Sequence, residues 1–101
     1  MSIEEDFKEL TRKWLEETMF SSNTLDTILN VHYQQIISIG RGDPEILRLI
    51  LEDLKITGNH WFYALYILTQ GADPAVDCPP GDMRAVQQAW LAWGREKKII
   101  N

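Results

Sequence analysis

Asn59-His60-Trp61-Phe62-Tyr63-Ala64-Leu65-Tyr66-Ile67-Leu68-Thr69-Gln70-Gly71 carries no charge. Asn59 is a good N-cap, Gly71 is a good C′ residue, and positions 61–68 are apolar or aromatic on every face, the pattern of a helix buried in the middle of a domain. The run is too short to span a bilayer, which takes about 20 residues. A strand is the competing reading, but Ala64 and Leu65 at its centre and the helix-type punctuation favour a helix over residues 60–70. That helix is the expected core element, and the patterns around it decide the fold class.

Upstream, Thr57-Gly58-Asn59 forms the turn into this helix. Ile46, Leu47, Ile50, Leu51 and Leu54 give a broad apolar face over 44–56, started by Asp43 as N-cap with Pro44 at the first helical position. Leu25, Ile28, Leu29, Tyr33, Ile36, Ile37 and Ile39 carry an earlier helical pattern, with Asn30-Val31 as a point of interruption and Gly40 and Gly42 as its stop. Together, segments 24–39 and 44–56 resemble a single HEAT-type hairpin, whose open face the other helices would have to cover, although no second copy occurs and a generic helical hairpin is the favoured reading. Ser21-Ser22-Asn23-Thr24 separates this pattern from a first helix over 3–19. Ser2-Ile3-Glu4-Glu5 has the form of a capping box, and Ile3, Phe7, Leu10 and Trp14 make one apolar stripe.

Downstream, residues 72–81 hold three prolines and a glycine, an irregular connection. Asp82 then caps a last helix carrying Val86, Ala89, Trp90 and Trp93 on one face, and Arg95, Lys97 and Lys98 suit the negative end of its dipole. The fold class expected is an all-α, compact bundle of about five helices around helix 60–70, a single domain over residues 1–101.

The formal charge is −5. It argues against non-specific binding to nucleic acid or to anionic membrane, both negative themselves, and points to a protein partner with a basic surface. Residues 1–26 hold seven acids and three bases, whereas residues 82–101 hold two acids and four bases. Cys78 is the single cysteine, so no disulfide forms within the chain and no Cys/His metal spacing exists. The acidic, amphipathic start is unlike a signal peptide, and a cytoplasmic location is expected.

Chemistry finds few candidates. His32 and His60 lie in different elements without a ligand-spaced partner, so neither a metal nor a cofactor is expected. His60 falls in the first turn of the central helix, where a neutral, structural imidazole is favoured. Cys78 sits beside Asp77, which raises rather than lowers a thiol pKa, so an inert side chain is favoured. The acids of the first helix are read as its solvated face. Trp61, Phe62, Tyr63, Tyr66, Trp90 and Trp93 are six rings for a small domain to hide, and an exposed one among them is a natural interface anchor. Stacking on nucleic acid needs interleaved bases, and residues 56–83 contain no lysine or arginine.

His60-Trp61-Phe62-Tyr63-Ala64-Leu65, Thr69, Gly71, Asp73-Pro74, Gly81 and the closing Trp90-Leu91-Ala92-Trp93-Gly94 form a pattern along most of the chain. It resembles that of an uncharacterised family of small bacterial proteins, frequent in cyanobacteria. Trp14, Glu16-Glu17-Thr18, Tyr33-Gln34, Ile36-Ile37 and Gly40 match the same pattern. The chain departs from it at Gln70, inserted between the usual Thr and Gly, and at Lys98-Ile99, where a glycine-aromatic ending is common. The resemblance brings no activity with it.

The function expected is therefore a non-catalytic protein-protein interaction module, a small acidic neutraliser or adaptor of antitoxin, immunity or phage-defence-accessory type. Two surfaces compete as its binding face: the acids Glu5, Glu9 and Glu16 of the first helix, and the aromatic, proline-rich side around Trp61, Pro74 and Trp93. One alternative is a small enzyme or enzyme subunit with a site near His60, Asp73 and Cys78. Another is a nucleic-acid-binding regulator using Arg84, Arg95, Lys97 and Lys98.

Overall fold

The computed structural model describes residues 2–21 and 23–101, so Ser22 of the polar cluster lies outside the described residues. Among these the chain is all-α, with six helices and no strand: α1 (Ile3–Thr18), α2 (Thr24–Leu29), α3 (Val31–Gly42), α4 (Glu45–Thr57), α5 (Phe62–Leu68) and α6 (Met83–Glu96). None is long and apolar enough to cross a membrane. The chain divides into two units, Met1–Ile46 and Leu47–Asn101.

In the first unit, the Ser2 hydroxyl accepts from the Glu5 amide at 3.1 Å and starts α1. The buried face runs through Phe7, Thr11 and Trp14, while Ile3 and Leu10 flank it half-buried. Opposite lie Tyr33, Ile36 and Ile37 of α3, and the Trp14 and Tyr33 rings meet edge to face at 4.9 Å. The helical pattern of 24–39 breaks at Asn30, which takes an extended ψ of 132°. Its backbone N–H closes α2 on the Thr27 carbonyl, and its side-chain oxygen accepts from the amides of His32 and Tyr33 to open α3. One residue thus makes two helices of the expected one. Asp43 repeats the device, donating its backbone N–H to the Ile39 carbonyl and accepting from the Glu45 amide through its side chain.

In the second unit, Ile50, Leu51 and Leu54 of α4, Trp61, Ala64 and Leu65 around α5, and Trp90 and Leu91 of α6 are buried. Gln87 donates its side-chain amide to the Leu54 carbonyl at 2.8 Å, which ties α6 to the last turn of α4. Gly94 permits a close approach: a Cβ there would stand 3.0 Å from Leu51 Cδ1 and 3.1 Å from Ile100 Cγ1.

α5 is shorter than residues 60–70, and its ends differ from the sequence reading. Asn59 does not cap it. The N-cap position is Trp61, with no side-chain cap bond, two residues past Asn59, whose side-chain N–H donates to Asp53 at 3.0 Å. At the other end Gln70 (φ 59°) takes the C′ position expected for Gly71, and Gly71 (φ 91°) follows it, also at positive φ. Gln70 N–H bonds the Ile67 carbonyl and Gly71 N–H bonds the Tyr66 carbonyl, the paired bonds of a Schellman motif. α6 ends the same way, with Lys98 (φ 62°) bonded to the Arg95 carbonyl and Ile99 to that of Gly94. Nor is α5 closed on every face: Ala64 and Leu65 are inaccessible, but Tyr66 is 53% exposed.

Candidate functional sites

Each unit offers one feature that packing does not absorb. In the first it is an apolar surface. Of the nine large apolar side chains left exposed among the described residues, five lie within positions 19–31: Met19, Phe20, Leu25, Leu29 and Val31. Phe20 is 96% exposed and Leu29 73%. α2 buries no residue at all, although Leu25 and Leu29, four apart, share a helical face. The sequence pattern places both in the same apolar series as the α3 core residues; here they point away from packing. Single exposed apolar residues are ordinary, and it is their concentration here that makes the segment a candidate interaction surface.

The segment is held in place from α1. Glu17 accepts from the Asn30 side-chain amide at 2.9 Å through one carboxylate oxygen and meets His32 Nε2 at 2.9 Å through the other. The Asn30 hydrogen bond, and then His32, hold the Glu17 carboxyl below the usual carboxylate range. These partners are too far apart in sequence for any helical spacing to reveal. Ser21 also bonds the Asp26 carboxylate across the α1–α2 turn.

Glu5, Glu9 and Glu16 are all exposed, as expected, but two of them are engaged. Arg12 bridges Glu9 and Glu16, and its hydrogen bond holds the Glu9 carboxyl below the usual range. Water and salt screen exposed pairs of this kind, so they add little to stability. Charge is nonetheless segregated. The unit Met1–Ile46 holds nine acids and four bases, net −5, whereas Leu47–Asn101 holds six of each and is neutral.

The second unit carries a cleft of about 490 Å³ between Gly58 and His60 of the turn before α5 with Phe62, the first residue of α5, and the first two turns of α6, with Met83, Arg84, Gln87 and Gln88. The His60 and Phe62 rings meet edge to face at 5.3 Å. Burial pushes the His60 imidazole below its usual 6.5, which favours the neutral ring. Neither Asp73 nor Cys78 lines this cleft, so it does not gather the three residues of the enzyme alternative. No group of three His, Cys, Asp or Glu side chains with metal-site geometry occurs among the described residues.

The aromatic side is corrected in one respect. Trp61 has no exposed surface and donates its indole N–H to Asp53 at 2.8 Å, so it presents no ring to a partner. Pro74 and Trp93 are half-buried, Trp93 packing edge to face on Trp90 at 5.5 Å. Arg84, Arg95, Lys97 and Lys98 are exposed. Comparison with protein-family models, curated proteins and solved structures finds no match for this chain.

Proposed function

We propose that this chain is a non-catalytic protein-binding module, an acidic adaptor or neutraliser that docks its partner on the apolar surface of residues 19–31. The observation that carries the reading is α2 itself, a helix with no buried residue and two exposed leucines on one face, flanked by the exposed Met19, Phe20 and Val31. Water penalises such a surface, and a partner's apolar patch removes the penalty. The net charge of −5 on the same unit favours a partner with basic groups around its own apolar contact. It also disfavours nucleic acid and anionic membrane. Antitoxins, immunity proteins and phage-defence accessories of the cytoplasm are proteins of this build; the resemblance to the uncharacterised bacterial family adds no activity to that reading.

The test is affinity capture from the native host with wild type and with a Phe20→Asp/Leu29→Asp variant, followed by mass spectrometry. Both positions are exposed, so the variant keeps its fold. The reading expects one basic protein retained by the wild type and lost with the variant. Equal capture by both would remove residues 19–31 as the docking surface.

A further inference from the structure

The cleft of the second unit has a composition that protein docking in the first does not use. Its lining contains one formal charge, the Arg84 guanidinium, and no carboxylate. Arg84 is exposed at the second position of α6 and forms no ion pair among the described residues. The nearest acid in sequence, Asp82, is occupied as the N-cap, accepting from the Ala85 amide at 3.0 Å. One wall is aromatic, formed by Phe62 with the His60 ring against its edge. The Gln87 side chain is fixed by its bond to the Leu54 carbonyl, and the Met83 thioether adds a deformable apolar contact.

We infer that this cleft binds a small organic carboxylate with an aromatic or branched apolar body. The guanidinium supplies a planar, permanently charged fork for the carboxylate, and Phe62 and Met83 cover the body. A neutral imidazole beside Phe62 keeps that wall free of a second charge. Small ligands gain a limited free energy per atom, so a dissociation constant on the order of 1 mM is the scale for a ligand of about ten heavy atoms.

The experiment is an amide-resolved NMR titration of the full chain at constant ionic strength with phenylacetate, acetate and phenylacetamide. Phenylacetate should give saturable shifts confined to amides of residues 58–62 and 83–88. Acetate, lacking the body, and phenylacetamide, lacking the charge, should each bind at least tenfold more weakly. Arg84→Gln should weaken phenylacetate at least tenfold without changing phenylacetamide. Arg95→Gln lies about three turns along the same helix, outside the cleft, and should leave phenylacetate binding unchanged. Shifts that fail to saturate, equal binding of all three probes, or equal losses in the two arginine variants would overturn the assignment.

Discussion

The carboxylate of Asp53 makes the clearest test of what holds the second unit together. One oxygen, Oδ2, accepts from the Trp61 indole at 2.8 Å, from the Asn59 amide at 3.0 Å and from the Thr57 hydroxyl at 3.0 Å. The Trp61 side chain is wholly buried, so its donor has no water to turn to. Asp53→Ala removes the indole's acceptor, which costs about 1 to 3 kcal/mol, and adds about 1 kcal/mol for the more accessible Asn59 bond, while the Thr57 hydroxyl keeps the Asp53 backbone carbonyl at 2.8 Å. The expected loss is about 2 to 4 kcal/mol, a large share of the roughly 5 to 15 kcal/mol typical of a domain. Asp53→Asn keeps a side-chain oxygen and should lose about half as much. The assay is urea unfolding by far-UV circular dichroism, run as a double-mutant cycle with Trp61→Phe, which removes the donor and leaves most of the ring volume. A coupling of about 1 to 2 kcal/mol is expected. A coupling near zero would refute the argument that this bond, rather than the ring's packing, fixes Trp61.

Gln70→Gly and Lys98→Gly should each stabilise the chain by about 0.5 to 1 kcal/mol, since a left-handed residue with a Cβ costs about 1 to 2 kcal/mol and glycine's extra unfolded-state entropy offsets only part of it. Urea midpoints should rise with unchanged slopes, and unaltered midpoints would contradict the left-handed geometry at φ 59° and 62°. The imidazole of His60 should titrate by NMR below 6.5. Its depressed pKa makes the unfolded chain take up the proton first, so its contribution is present above pH 6.5 and lost as pH falls through 6.5 toward the folded value. A midpoint at or above 6.5 would contradict the burial of that ring. Glu17→Gln should flatten the acid limb of the stability profile, because the Glu17 contribution is present above its unfolded pKa near 4.5 and lost as pH falls through the lower folded value. An unchanged acid limb would mean that the Asn30 and His32 bonds contribute nothing to stability.

What the sequence made legible were features that depend on neighbours within a turn or two. Ser2 and Asp82 cap their helices as their spacing implies, Asn30 breaks the pattern it interrupts, and Ala64 and Leu65 are inaccessible. Where local rules had rivals from further away, they failed. Asn59 has the right chemistry for an N-cap, but α5 starts only at Phe62, and the Asn59 side-chain N–H reaches back to Asp53. Gly71 is the better C′ residue by propensity, yet the helix ends one residue sooner, so Gln70 takes a positive φ at C′ and Gly71 a second one after it. Periodicity shows that Leu25 and Leu29 share a face and says nothing of what that face meets, so an unpartnered surface and a core stripe look alike. The link from Glu17 to Asn30 and His32 joins separate helices, and the cleft joins the turn after α4 to α6; neither has a local signature.

The acidic face of α1 and the apolar surface that follows it do different physical work. Arg12 neutralises part of the charge at Glu9 and Glu16, so the steering field is that of the whole unit, net −5, rather than of any one carboxylate. A field of that kind acts beyond contact distance and is screened within about 8 to 10 Å at moderate ionic strength, so under the proposal it would govern how often a basic partner arrives. Phe20 and Leu29 act only at contact, where removing apolar surface from water slows departure. The same charge sets a selectivity that an apolar surface alone lacks. Two copies meeting through residues 19–31 would bring two units of −5 together, whereas a basic partner gains from both terms. On the proposed reading, an exposed, leucine-bearing helix on an acidic unit therefore suits a basic partner better than a second copy of the chain.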